Sequence, residues 1–197
     1  MSELEQPAAE PGTESSAAEK VLSSGRTLFP GLRAWVRDLV VSLVIAGVVI
    51  VFLYQPVKVE GTSMMPRLVD QERIFINKFV YQWEPIDRGD VVVFRYPFDQ
   101  AKSYIKRVIG LPGDTVRLVN GEVFINGRKL EEPYVLEKYR DRQSHPPRVV
   151  PPDQYYVLGD HRNSSNDSRV WGPVSREHIY GKAVFVYWPV DRVGFLP

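Results

Sequence analysis

Leu39 to Tyr54 reads LVVSLVIAGVVIVFLY; fourteen of its 16 residues are apolar and none is charged. As a helix the run spans about 24 Å at about 1.5 Å per residue, a little less than the ~30 Å hydrocarbon core of a bilayer. Trp35 and Val36 extend it, which puts Arg37 and Asp38 near headgroup depth. A buried core helix or core strand is the competing use of so short a run. A cleaved leader fits less well, because 38 residues precede the run and Gln55-Pro56-Val57 offers no small-residue cleavage site. Residues 35–54 therefore read as a membrane anchor. Lys20, Arg26, Arg33 and Arg37 precede it, against Lys58, Arg67 and Arg73 within the next twenty residues; this small excess favours the amino terminus inside.

The anchor divides the chain into three. Residues 1–34 are rich in Glu, Ala, Ser and Pro and show no apolar period, so they read as a disordered cytoplasmic tail. Residues 55–197 are enough for one domain with its own core. Their charge is 21 − 18 = +3, and residues 1–38 contribute 4 − 6 = −2, which recovers the total of +1. So weak a field gives no reason to expect nucleic acid as a partner. The chain has no cysteine, which excludes disulfides, thiol catalysis and thiolate metal sites. His145, His161 and His178 are spaced by 16 and 17 residues, which is not a ligand pattern, so neither metal nor cofactor is expected.

The domain reads as mainly β. Residues 73–77 alternate around Ile74 and Ile76, and 91–94 form a continuous apolar run that suggests burial on both faces. Strands are also expected at 103–109, 115–119, 122–125, 128–130, 155–158 and 183–188. Asn120-Gly121 and Asn126-Gly127 join three of them, and Asn-Gly between apolar runs is a strong hairpin signal. Ser175 to Tyr180 is expected to be helical, and the proline-rich stretch 137–152 to be a loop.

Three places carry candidate chemistry. Ser63 lies in Gly61-Thr62-Ser63-Met64-Met65-Pro66, where Gly61 permits a bend and Pro66 disfavours helix at Met65. A serine on such a turn is an ordinary feature or a nucleophile, and a nucleophile needs a base. Among the histidines only His161 lies near other candidates, and a surface role is the default for each. Lys106 is the other base, inside the apolar stretch Tyr104 to Ile109. Burial there would lower its pKa far enough to make it neutral; an edge strand would instead let it reach water. Arg107, on the opposite strand face, stays charged and suits an ion pair. Gly159 to Arg169 is a run of short polar residues, either a solvated loop or the groups that orient a lysine and pair with Arg107.

Four blocks together resemble the bacterial type I signal peptidases, a Ser/Lys dyad protease family. They are Ser63 to Leu68, Arg88 to Phe94, Tyr104 to Asp114, and Gly159 to Arg169, in the family's order behind an anchor. The resemblance implies a compact β-rich, LexA-like catalytic domain behind one transmembrane helix. It implies a serine endopeptidase in the bacterial cytoplasmic membrane, its active site on the outer side. Ser63 would be the nucleophile and Lys106 the general base, with Ser165 orienting the lysine. Asp160 would pair with Arg107, and Asp167 with Arg169. Gly61, Thr62, Met64, Pro66 and Tyr104 would serve the oxyanion or the substrate. Substrates would be exported preproteins with Ala-x-Ala before the cut, and membrane lipid and the export machinery the other partners. An extended peptide would add as a strand beside 57–62 and 103–106.

Arg67 stands where the family usually has Thr, His161 where Asn is common, and Gly61 supplies no hydroxyl two residues before the nucleophile. Two other classes compete. An inactive anchored β-rich scaffold is disfavoured by the intact Ser63 and Lys106. A self-cleaving Ser/Lys repressor would carry a DNA-binding helix-turn-helix in place of the apolar run.

Overall fold

A computed structural model describes residues 30–196. The expected tail lies outside the described residues up to residue 29. Helix α1 covers Pro30–Leu53, so it starts ahead of the expected anchor boundary, and Tyr54 belongs to the strand that follows. Its described side chains, 31–48, are exposed and include Arg33, Arg37 and Asp38. Among the described residues no helix is long and apolar enough to cross a membrane. The chain up to Ala46 and the chain from Gly47 onward are separate compact units.

Among the described residues the second unit has twelve strands in two antiparallel sheets. β1 (Tyr54–Lys58), β2 (Arg73–Asn77), β3 (Val91–Tyr96), β4 (Asp99–Gly110), β9 (Gln154–Leu158), β10 (Val174–Ser175), β11 (Ile179–Trp188) and β12 (Gly194–Phe195) form the larger, in the order β1-β2-β11-β3-β4-β9-β10, with β12 on β11. β5 (Thr115–Val119), β6 (Glu122–Ile125), β7 (Arg128–Lys129) and β8 (His145–Val149) form the smaller, in the order β7-β6-β5-β8. The mainly β expectation holds.

β3 shows why the sheet has cores on both sides. Val91 and Val93 pack into one cluster with Met64, Leu68 and Ile74, while Val92 and Phe94 pack into another with Val108 and Val157. A strand without polar alternation belongs in the middle of a sheet covered on both faces. The third cluster joins the sheets, with Ile109, Tyr156 and Leu158 from the larger meeting Val116, Leu118 and Val123 from the smaller. The Asn-Gly turns form as expected, with φ of 50° and 81° at Asn120-Gly121 and 52° and 80° at Asn126-Gly127. Two successive positive φ values give the type I′ twist that continues the flanking strands.

Two expectations fail. Ser175 to Tyr180 is not a helix; Val174–Ser175 and Ile179 belong to strands, leaving a single 3-10 turn at Arg176–His178. The flanking Val174 and Ile179 are buried in the β3 cluster, and extended backbone carries both there. Residues 137–152 are not all loop, because β8 pairs with β5 despite Pro146 and Pro147. β8 is an edge strand, so only one side of its backbone needs donors, and the ladder is irregular where the prolines lie, between Arg148 and His145. A short helix, α2 (Ser168–Trp171), starts at the end of the polar run, where the Asp167 side chain accepts from Arg169 N and caps it.

Candidate active site

Ser63 sits on an irregular turn between β1 and β2. Gly61 bends at φ 93° and donates its N–H to Asp70 Oδ1 at 2.7 Å. Met65 N donates to Thr62 O at 3.1 Å and Leu68 N to Met64 O at 2.9 Å. Met64 and Leu68 are buried in the core, which pins the turn beneath a half-buried Ser63.

Lys106 lies in mid-strand on β4, opposite Val92, and only 4% of it is exposed. Its Nζ is 2.7 Å from Ser63 Oγ and 3.1 Å from the Ile105 carbonyl. Burial pulls its pKa down to about 8; the charges of Asp167 and Asp160 oppose this and Arg169 assists it. Of the two readings left by the sequence, the buried lysine is the one realised.

The neighbouring Arg107 turns to the other face. It makes a two-pronged ion pair with Asp160, at 2.9 and 2.7 Å, and donates to Gly89 O at 2.8 Å. Its guanidinium also lies 4.1 Å from the centre of the Tyr134 ring. Both members of the pair are almost wholly buried, so each depends on the other. Arg169 grips Asp167 through Nε and Nη2, both at 2.8 Å, and also reaches Asp141. Both expected pairs are present.

Gly159 is the hub of the polar run. Its N–H donates to Asp167 Oδ2 at 3.0 Å, and its carbonyl accepts from Arg162 Nε at 3.0 Å. A Cβ there would stand 2.5 Å from Ser63 O and 2.2 Å from Ser165 Oγ, so only glycine lets the run lie against the nucleophile turn. Among the described residues the buried Ser165 hydroxyl has no hydrogen-bond partner, so it makes no bond to Lys106, the lysine it was expected to orient.

A cleft of about 430 Å³ opens over the pair. Gly61, Thr62, Met64 and Tyr104 line it. Pro66 does not. It lines a second cavity of about 450 Å³, and its carbonyl accepts from Arg192 at 3.0 Å. Arg67 donates to the Phe195 carbonyl at 3.2 Å.

Sequence reasoning missed several residues. Glu132 forms a buried pair with Arg162, and its segment carries no motif that marks it. Asp141, Tyr134 and Asp70 support Arg169, Arg107 and Gly61, contacts invisible without the fold. His161 holds the nucleophile turn through both its ring and its backbone, and its place beside Asp160 was the available signal.

An antiparallel β domain presenting a half-buried serine against a buried amine, at the floor of an open cleft, defines the class as a serine hydrolase. Comparison with known proteins makes this specific. Residues 32–188 match the family described as signal peptidase, peptidase S26. The chain is 37% identical over 203 residues to Signal peptidase I of Leptolyngbya laminosa, covering 96% of this chain and 91% of that protein. It is 37% identical over 168 residues to Signal peptidase I P of Bacillus subtilis subsp. natto, covering 81% and 90%. It is 40% identical over 166 residues to Probable signal peptidase I-2 of Synechocystis, covering 81% and 75%. The crystal structure of a signal peptidase I from Enterococcus faecalis V583 matches with a TM-score of 0.45 and 30% identity, covering 50% of this chain and 97% of that one. The chain belongs to the signal peptidase family, and its enzyme class is serine endopeptidase.

Proposed function

We propose that the protein is a membrane-anchored endopeptidase that removes amino-terminal signal peptides from exported preproteins, with Ser63 as nucleophile and Lys106 as general base. Membership of the family supports the coarser part, removal of signal peptides by a serine protease. The observation that carries the finer part is the 2.7 Å approach of Lys106 Nζ to Ser63 Oγ, made by a lysine whose pKa is near 8. At pH 7 roughly a tenth of such a lysine is the free amine, which accepts a proton where an ammonium cannot.

Ser63 Oγ adds to the scissile carbonyl carbon while its proton moves to Lys106 Nζ. Collapse of the tetrahedral adduct breaks the C–N bond, and Nζ returns the proton to the leaving amine. Water then adds to the acyl-enzyme, giving its proton to Nζ, which passes it to Ser63 Oγ as the acid leaves. The developing oxyanion is held in part by the Ser63 N–H.

The substrate enters as a strand between residues 57–62 and 103–106. The sheet edges support this: among the described residues β1 pairs only with β2, and β9 pairs with β4 only from Arg107 onward. Val57, Val59, Met64, Val93 and Ile105 give the cleft apolar walls, suited to side chains of alanine size before the cut. Membrane lipid and the export machinery are the other partners. The anchor is assigned to residues 35–54, whose uncharged run from Leu39 extends about 24 Å as a helix, although no described helix by itself is long and apolar enough to cross a membrane. The domain then lies outside the bacterial cytoplasmic membrane.

The test compares the full chain with Ser63→Ala and Lys106→Ala on a preprotein bearing an Ala-x-Ala site. Both variants are expected to be inactive, and normal cleavage by either overturns the dyad. Extraction of the protein from membranes by alkaline carbonate would overturn the anchor.

A further inference from the structure

We infer that His161 is a positioning residue for the oxyanion donor, its imidazole setting the Thr62–Ser63 peptide so that the Ser63 N–H faces the reacting carbonyl. This role rests on the Ser63 and Lys106 chemistry proposed above and adds to it a residue that touches neither side chain.

The Thr62 carbonyl accepts twice, from Met65 N at 3.1 Å and from His161 Nδ1 at 3.0 Å. A carbonyl only accepts, so Nδ1 carries a hydrogen. The Ser63 carbonyl accepts from the His161 backbone N–H at 3.0 Å. One residue thus clamps two consecutive carbonyls of the nucleophile turn. In a trans peptide the N–H lies opposite the C=O, so fixing the Thr62 carbonyl aims the Ser63 N–H. That N–H donates to no protein group among the described residues, and Ser63 lines the open cleft. A free, fixed donor on the nucleophile's own backbone suits an oxyanion. Hydrogen bonds to the carbonyl of an amide also strengthen donation by its N–H.

The imidazole is itself held in place. Its ring centre is 4.2 Å from that of Tyr139, and Asn163 Nδ2 donates to the neighbouring Lys138 carbonyl at 3.1 Å. Its chain neighbour Asp160 grips Arg107, which is next to Lys106 in β4. Two consecutive residues therefore tie the strand of the base and the turn of the nucleophile to one segment.

His161→Phe keeps a ring against Tyr139 and removes Nδ1, whereas His161→Asn returns an N–H donor near the same place. The full-chain enzyme is assayed on an Ala-x-Ala peptide and titrated with the matching peptide aldehyde, which forms a tetrahedral adduct on Ser63. Phe is expected to lower kcat about tenfold with KM nearly unchanged, because the oxyanion exists only in the transition state. Aldehyde affinity should fall by a similar factor, and Asn should recover most of both. If the Phe variant does not fold, His161→Leu serves in its place. Wild-type kcat in the donor-less variant, a loss carried by KM, or no recovery with Asn overturns the role. Ser63→Ala is assayed beside them. Activity retained there sinks the dyad itself, whereas a dead Ser63→Ala with a fully active Phe variant sinks only the part given to His161.

Discussion

Ser63 and Lys106 meet at 2.7 Å but are held by opposite kinds of structure. The lysine sits in the middle of a long strand, buried, its backbone fixed by the ladder to β3. The serine sits on a turn with no ladder, half-exposed, its backbone fixed by contacts borrowed from Asp70, Gly159 and His161. The difference follows from what each atom must do. A lysine becomes a base near neutral pH only when water is removed from it, which a core strand accomplishes. A nucleophile must be reached by an extended peptide, which a strand in mid-sheet would prevent. The turn therefore lies open, and its rigidity comes from side chains and backbone elsewhere in the chain.

Breaking the strand side should have the largest effect. Lys106→Met is expected to lower kcat/KM for an Ala-x-Ala substrate by about 10³-fold or more, since removing one member disables a dyad that acts as a unit. The same substitution should stabilise the fold by about 3 kcal/mol below pH 8, because it removes a charge whose burial is costly. A lysine with a lowered pKa bears that cost fully below its folded value, about 8, and sheds it as pH rises toward the 10.5 of an unperturbed lysine. Chemical denaturation at pH 7 and pH 10 should show the gain at the first and little at the second. Equal gains would separate the stabilisation from the charge.

Next in size is Asp160→Ala, which strands the buried Arg107. A loss of about 3–5 kcal/mol is expected by denaturant unfolding, and a loss under 1 kcal/mol would show that the pair does not hold this part of the fold.

The pH profile sharpens the contrast without a mutation. Below about pH 8 Lys106 is protonated and cannot accept the Ser63 proton, so kcat/KM should fall about tenfold per unit as pH drops. A profile flat from pH 6 to 9 would remove Lys106 as the base. The smallest effect is expected at Ser165→Ala. With no bond to Lys106 in the free enzyme, losing the hydroxyl should change activity by a few-fold at most, as measured by steady-state kinetics. A loss approaching that of Lys106→Met would mean that substrate brings the two together.

Local pattern made much of the fold legible. The Asn-Gly turns fix β5 to β7 within a residue or so, because positive φ at two successive positions is a property of those residues themselves. The run from Val91 to Phe94 announced a strand buried on both faces. β8 was hidden, because its pairing depends on an edge position that Pro146 and Pro147 tolerate and no local signal marks. The Ser175 segment looked helical only while Val174 and Ile179 were read without their partner strands. In the site, Ser63, Lys106 and both ion pairs were readable from ordered motifs, but Glu132 and the clamp by His161 were not.

The sequence by itself determined which atoms are available for chemistry. With no cysteine and no metal-ligand spacing, it excluded thiol and thiolate-metal chemistry, and its resemblance to the signal peptidases pointed to a serine oxygen and a lysine nitrogen, carried on a turn and an apolar strand. It also determined the β character of the domain, since alternation and turn residues act over a few positions. The tertiary structure decided whether Lys106 is buried or a surface cation. That choice depends on how much water reaches its nitrogen, and its charge is set against Asp160, Asp167 and Arg169, which are distant in the chain.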